Sequence, residues 1–269
     1  MSDPLTTDLG VFDSGVGGLS VLRELHALLP HQGIGYVADS AYVPYGTKPP
    51  AVIRERSMAI ARFLVERLRA RAVVVACNTA TTHAVDLLRQ TFASVPFVGM
   101  EPAIKPAAAA TRSGVVGVLA TDATLDGERF ASLMKRHAEG IEVLTQSCPG
   151  LVEQVEAADL AGPLTIDLLQ RYTAPLLARG ADTIVLGCTH YPFLRDSLQR
   201  LVGPSVTLID TAAAVARQTA RVLADRPGRE PAGTEGRVVF FTSGDPDVVR
   251  PSLERLWEGA VLEVNRLEV

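Results

Sequence analysis

VVVACNTATTHAVDLL, residues 73–88, and TIVLGCTHYPFLRDSL, residues 183–198, are two versions of one design. In each, a short apolar run precedes a small residue, a cysteine, polar residues and a segment with helical periodicity. Apolar runs without alternation are typical of strands buried on both faces of a parallel sheet. The two cysteines, Cys77 and Cys188, are 188 − 77 = 111 residues apart. This repeat predicts two related domains, each with a cysteine at the carboxyl end of a strand, where open α/β sheets bind ligands.

The same alternation of apolar runs and helical stretches continues over the rest of the chain. Strands are predicted at Leu9–Phe12, Ile34–Ala38, Ala72–Ala76, Val95–Gly99, Val115–Ala120, Glu142–Gln146, Thr183–Gly187, Thr207–Ile209 and Val238–Thr242. Helices are predicted at Ala51–Arg69, Gly162–Ala178 and Asp245–Leu256, with Thr124 as the cap of a helix that carries Phe130.

The predicted fold class is therefore α/β, with two pseudo-symmetric domains, each a mainly parallel sheet flanked by helices, and an active site in the cleft between them. Residues 1–98 and 211–269 would form the first domain and residues 99–210 the second. The segment 226–237, RPGREPAGTEGR, reads as an exposed connection, and the strand and helix after it are too small to stand alone.

Composition narrows the function. The formal net charge of −4 is spread over 269 residues without a basic run, which argues against nucleic acid as a partner. No apolar run reaches the roughly 18 residues that span a bilayer, and the N-terminal stretch lacks a signal-peptide pattern, so we expect no membrane association and a cytoplasmic location. Three cysteines far apart in the sequence fit a reducing compartment with free thiols.

The chemistry centres on Cys77 and Cys188. A thiol at the start of a helix lies near unpaired N–H groups and the positive end of the helix dipole. This setting is expected to lower the pKa of the thiol below its ordinary value of about 8.5 and so to favour the thiolate. The alternative is that each cysteine is a small buried hydrophobe, which is the common fate of free cysteine. Two cysteines in matched settings favour function, whereas Cys148, which has no matched counterpart, is interpreted as structural.

Several uses of two thiols remain open on this pattern. There is no C-x-x-C pair for a disulfide oxidoreductase, and a zinc site has few nearby ligands beyond His83 and His190. A thiol hydrolase could use Cys188 with His190 but would leave Cys77 idle. Inversion at a carbon needs a base on one face and an acid on the other, so it uses both thiols. DSGVGGLS lacks the third glycine of a dinucleotide-binding fingerprint, so no cofactor is expected, and a metal site has little support from the sequence.

Four segments resemble the glutamate racemases of the aspartate/glutamate racemase superfamily: GVFDSGVGGLSVLREL at 10–25, PYGT at 44–47, VVACNTA at 74–80 and LGCTHYPFL at 186–194. Their order and spacing fit over nearly the whole chain. The resemblance implies interconversion of L- and D-glutamate without metal or pyridoxal phosphate, with the D-glutamate destined for peptidoglycan. The alternatives are an aspartate racemase with the same chemistry, a thiol hydrolase or amidase, and a non-catalytic binding module. Relatives also form dimers, so a homodimer is possible.

The resemblance also assigns roles. Cys77 would take the proton from D-glutamate and Cys188 the proton from L-glutamate. Asp13 would assist Cys77 and His190 would assist Cys188, while Glu153, in CPGLVE, matches an acidic residue with a supporting role.

Substrate binding is expected from groups at helix starts and from one turn. Hydroxyl, amide and backbone N–H groups at helix starts converge on anions. These side chains and the turn beside them are Ser14, Asn78, Thr79, Thr189, Pro44, Tyr45 and Gly46.

Overall fold

The computed structural model describes residues 7–225, 236–257, 259 and 263–269. Its strands β1 to β10 are, in chain order, Leu9–Asp13, Ile34–Ala38, Ala72–Val75, Phe97–Val98, Val115–Ala120, Glu142–Ser147, Thr183–Leu186, Thr207–Ile209, Val238–Thr242 and Val264–Arg266. Its helices α1 to α11 are Leu19–Leu28, Pro50–Arg62, Asn78–Thr91, Ile104–Ala110, Asp122–Leu125, Glu128–His137, Leu151–Glu156, Pro163–Ala178, Arg195–Val202, Ala212–Ala224 and Pro246–Leu256. Two short 3₁₀ turns cover Tyr45–Thr47 and Tyr191–Leu194, and a π-helical turn, Phe63–Arg67, continues α2.

The strands form two sheets in which every pairing is parallel. The first sheet has the order β10-β9-β2-β1-β3-β4 and the second has the order β6-β5-β7-β8. The order β2-β1-β3-β4 in the first sheet matches β6-β5-β7-β8 in the second, so β3 and β7 hold equivalent places. The predicted fold class, two mainly parallel α/β units with pseudo-symmetry, is confirmed.

Strand positions follow the sequence prediction closely, because each buried run is bounded by turn-forming residues. Two helical details differ. The predicted helix 51–69 is an α-helix to Arg62 followed by the π-helical turn. The prediction that Thr124 caps the helix carrying Phe130 is wrong: Thr124 lies inside the short helix α5, and α6 begins after Gly127.

The C-terminal part returns to the first sheet. Strand β9 pairs with β2, and β10, which the sequence did not predict, adds an edge next to β9. Most of the predicted connection 226–237 lies outside the described residues. The domain boundaries at 98/99 and 210/211 remain a prediction.

One hydrophobic core runs between the two sheets and a further core covers the outer face of each. The central core joins Leu9 and Leu22 of the first unit to Ile184 and Leu198 of the second. This packing sets the carboxyl ends of β1 and β3 opposite that of β7. Within the described ranges, no helix combines the length and apolarity that a bilayer span requires.

Candidate active site

Cys77 lies two residues after the end of strand β3 and is the N-cap residue of helix α3. Its Sγ accepts a hydrogen bond from the backbone N–H of Ala80 at 3.3 Å, as a capping side chain does. Because β1 and β3 are neighbours, with Phe12 paired to Val75, the end of β1 brings Asp13 to the same edge of the sheet. The first unit therefore presents a thiol and a carboxyl side by side.

Asp13 is fully buried and caps the turn before α1. Its Oδ2 accepts a hydrogen bond from the N–H of Gly18 at 2.6 Å, and Thr189 Oγ1 of the second unit donates to the same oxygen at 3.4 Å. Burial raises the pKa of the Asp13 carboxyl, and the nearby His190 opposes that rise. Asp13 thus both caps the turn before α1 and lies beside the Cys77 thiol.

The thiol of Cys77 does not have the lowered pKa expected from its position at a helix start. Burial raises the pKa of Cys77 well above its ordinary value, and the Asp13 carboxylate raises it further, which outweighs the Ala80 hydrogen bond. The expectation of a favoured thiolate is therefore wrong for Cys77 without substrate, because desolvation of the charged form exceeds the effect of one backbone donor.

On the opposite side, Cys188 follows β7 and belongs to a chain of three residues. Its Sγ lies 3.6 Å from Nδ1 of His190, and Nε2 of His190 lies 2.6 Å from Oε1 of Glu156. All three groups are largely buried. Burial alone would lower the pKa of His190, but its hydrogen bonds to Cys188 and Glu156 raise it well above the ordinary value. The imidazolium form is thereby favoured beside the thiol.

Glu153 is not the acid that meets His190. It lies on the exposed side of α7, whereas Glu156, three residues later on the same helix, is partly buried and also accepts the N–H of Val16 at 2.8 Å. The sequence CPGLVEQVE contains both acids, and their spacing alone does not decide which one faces His190. Glu156 is the residue that sequence reasoning missed.

The two cysteines line one small cavity between the units. Nearly all the proposed substrate-binding residues line it, whereas Asp13 lies just behind, bonded to Ser14 and Thr189. The lining residues are Ser14, Pro44, Tyr45, Gly46, Cys77, Asn78, Thr79, Thr121, Val152, Cys188, Thr189 and His190.

Polar groups inside the cavity are available to a ligand. Within the described part of the chain, neither Oδ1 nor Nδ2 of Asn78 has a hydrogen-bond partner, although both are buried. Buried amides without partners are costly, so these atoms fit contacts with a bound polar molecule. Thr121, which the sequence analysis did not select, joins the cavity from the end of β5 and lies 3.0 Å from Thr79, oxygen to oxygen.

Cys148 is set apart from this pair. It is buried and does not line this cavity, its Sγ donates to the carbonyl of Gln146 at 3.3 Å, and burial raises the pKa of its thiol. Among the residues that the structure describes, no three His, Cys, Asp or Glu side chains are grouped as metal ligands.

Comparison with known proteins decides the family. The family model Asp/Glu/Hydantoin racemase matches residues 10–219, which include both cysteines. The chain belongs to this racemase family. The racemase is 54% identical over 256 residues to a glutamate racemase of Stutzerimonas stutzeri, covering 95% of this chain and 96% of that protein.

Solved structures agree over the whole length. The racemase superposes with a TM-score of 0.85, at 36% identity, on the Escherichia coli glutamate racemase solved with L-glutamate and the activator UDP-MurNAc-Ala, covering 96% and 97% of the two chains. With the Francisella tularensis glutamate racemase solved with D-glutamate, the TM-score is 0.84 at 26% identity over 98% of each chain. The chain is thus an isomerase of the racemase type.

Proposed function

We propose that this racemase interconverts L- and D-glutamate, with Cys77 and Cys188 working from opposite faces of the α-carbon. The observation that carries the proposal is that both thiols line one cavity, each from the carboxyl end of an equivalent strand in a different sheet. The similar proteins named above are glutamate racemases, and the two solved structures hold glutamate.

Each turnover moves one proton from the α-carbon to one thiolate and one proton from the other thiol to the α-carbon. The Cys77 thiolate removes the α-proton of D-glutamate, and the electron pair of that C–H bond remains on the α-carbon, delocalised into the adjacent carboxylate. The Cys188 thiol then donates its proton to the other face, giving L-glutamate and a Cys188 thiolate. In the other direction Cys188 is the base and Cys77 the acid. This chemistry requires neither metal nor pyridoxal phosphate.

Neighbouring groups set the protonation states. His190, held by Glu156, lies within reach of the Cys188 thiol for proton exchange, and Asp13 lies beside Cys77. Because burial raises the pKa of Cys77, the ammonium group of the substrate supplies the positive charge that favours its thiolate. The supporting role that the resemblance implies for Glu153 is assigned here to Glu156, which meets His190.

Binding uses the polar wall of the cavity. The substrate carboxylates meet Ser14, Thr189 and the start of α3, where Asn78 and Thr79 combine side-chain groups with helix N–H donors. In this proposal the units 1–98 with 211–269 and 99–210 are the two domains, and the cleft between them holds the substrate. We further propose a cytoplasmic, homodimeric enzyme that supplies D-glutamate for peptidoglycan.

The test is incubation of the purified, reduced protein with L-glutamate in heavy water, following optical activity and α-deuteration. Racemisation with α-deuteration supports the proposal. If L-aspartate racemises while L-glutamate is inert, the substrate assignment is overturned. The Cys77→Ser and Cys188→Ser variants should each lose turnover of glutamate, and near wild-type activity in either variant would sink the two-base mechanism.

A further inference from the structure

A buried ion-pair network stands behind one wall of the cavity. Asp39 directly follows β2 and its side chain is 0% exposed. Its carboxylate accepts hydrogen bonds from the Tyr45 hydroxyl at 2.5 Å, from Nε of Arg56 at 3.1 Å and from Nη2 of Arg56 at 2.9 Å. A buried carboxylate with a guanidinium on both oxygens is a strong, directional anchor. Neither Asp39 nor Arg56 lines the cavity.

The network holds the segment 42–46, whose last three residues, 44–46, form the turn that lines the cavity. The backbone N–H of Tyr42 donates to the carbonyl of Asp39 at 2.9 Å, and the Arg56 guanidinium lies over the Tyr42 ring, 4.2 Å from its centre. Tyr45, at the other end of the turn, is 1% exposed and lines the cavity. Tyr42 and Tyr45 are therefore both held by Asp39 at the edge of the sheet.

The turn has little freedom on its other side. Gly46 packs against Thr121 so closely that a Cβ built on Gly46 would lie 2.8 Å from the Thr121 Cβ. Because Thr121 belongs to the second unit, the turn is the place where the two walls of the cavity meet. Because the cavity is small and the turn forms part of its wall, a shift of the turn by about an ångström would change its width.

We propose that Asp39 and Arg56 are positioning residues, which act through Tyr45 to hold the turn 44–46 at the distance from Thr121 that substrate binding requires. They touch no substrate and move no proton. Their loss weakens substrate binding in the ground state and leaves proton transfer between the thiols largely intact. The identity of the substrate in this inference rests on the proposed function, but the positioning role does not.

The first experiment compares Asp39→Asn with Asp8→Asn. Asp8 also pairs with an arginine on the same sheet, with Asp8 Oδ1 and Arg71 Nη1 3.4 Å apart, but at the amino ends of the strands, away from the cavity. We expect Asp39→Asn to raise KM at least about tenfold with kcat within about threefold of wild type, because uniform binding is lost. Asp8→Asn should leave KM within about twofold. Equal KM values in the two variants, with only a lower Tm in each, would assign Asp39 a merely structural role and overturn the proposal.

A second comparison covers the case in which Asp39→Asn folds poorly. Tyr45→Phe removes one hydroxyl and should also raise KM, and Arg56→Lys should retain part of the binding that Arg56→Met loses. Because Tyr45 and Arg56 act as one unit through Asp39, Arg56→Met combined with Tyr45→Phe should raise KM by less than the product of the single effects. Independent, multiplying effects, or Tyr45→Phe with wild-type KM, would contradict the network.

All of these rates are measured as α-deuteration with both L-glutamate and L-aspartate. If wild type exchanges only L-aspartate, the proposed substrate fails, while the KM comparison proceeds with L-aspartate and still decides the positioning role.

Discussion

Nε2 of His190 and Oε1 of Glu156 lie 2.6 Å apart, and the same oxygen accepts the backbone N–H of Val16 in the other unit. Glu156 thus ties the histidine beside Cys188 to the glycine turn that carries Asp13. Ser252 Oγ, on helix α11, donates to the backbone carbonyl of Glu156 at 2.6 Å and holds this end of α7. The support of Cys188 therefore extends across both units.

Glu156→Gln should reduce kcat at least about tenfold, because the amide no longer stabilises the imidazolium of His190 beside Cys188, and general acid–base groups contribute about 10²–10⁴-fold. Glu153→Gln is the matched control on the same helix and should stay within about twofold of wild type. Steady-state rates of both variants with L-glutamate check this. A larger loss in Glu153→Gln than in Glu156→Gln would restore Glu153 as the supporting acid.

Asp13→Asn should gain stability relative to wild type as pH rises, while turnover falls at least about tenfold. Burial raises the pKa of Asp13 above the ordinary 3.8. A group with a raised folded-state pKa contributes stability that is present below its unfolded pKa and lost as pH rises through its folded pKa. The amide avoids this loss and can still accept the N–H of Gly18.

The measurement is Tm of both proteins between about pH 4 and pH 8, scored as the difference at each pH, since linkage is read from that difference. A difference that stays constant, or that moves in favour of wild type as pH rises, would contradict the raised pKa of Asp13.

Gly17→Ala should impair proton transfer at Cys188. A Cβ on Gly17 would overlap the imidazole of His190, which is 1% exposed and cannot move without leaving Cys188 or Glu156. We expect kcat to fall at least about tenfold, as for loss of a general acid–base group. Gly33→Ala is the control, because a Cβ there meets its nearest neighbour, Asp8, at 3.6 Å. Circular dichroism and kcat of the two variants test it, and an active Gly17→Ala variant would show that His190 is dispensable.

Cys148→Ala should keep turnover within about twofold and lose roughly 1 kcal/mol of unfolding free energy, the usual cost of a small truncation in a core. The thiol of Cys148 is buried and does not line the cavity that Cys77 and Cys188 share, so we expect it to take no part in proton transfer. Urea unfolding and steady-state rates measure both quantities. A loss of turnover comparable to that of Cys77→Ser would bring the third cysteine into the mechanism.

Much of the architecture was determined by the sequence itself. The strands β2, β5, β8 and β9 have the bounds predicted for them, because continuous apolar runs between turn residues have few alternatives to burial in a parallel sheet. The matched settings of Cys77 and Cys188 predicted equivalent strand ends. Parallel sheets collect the carboxyl ends of their strands at one edge, so the side chains placed there by sequence, such as Asn78 and Thr189, line one cavity.

Tertiary packing decided the rest. Glu153 and Glu156 are one turn apart on α7, roughly 4.5 Å along its axis, and only the docking of that helix selects which carboxylate reaches His190. The raised pKa of Cys77 arises from burial by residues of both units, which no local pattern around the cysteine encodes. Thr121, Asp39 and Arg56 gain their places through contacts 17 or more residues away in the sequence. Local sequence determines strands, helices and their ends, whereas charge, desolvation and cavity width depend on the neighbours that the fold brings together.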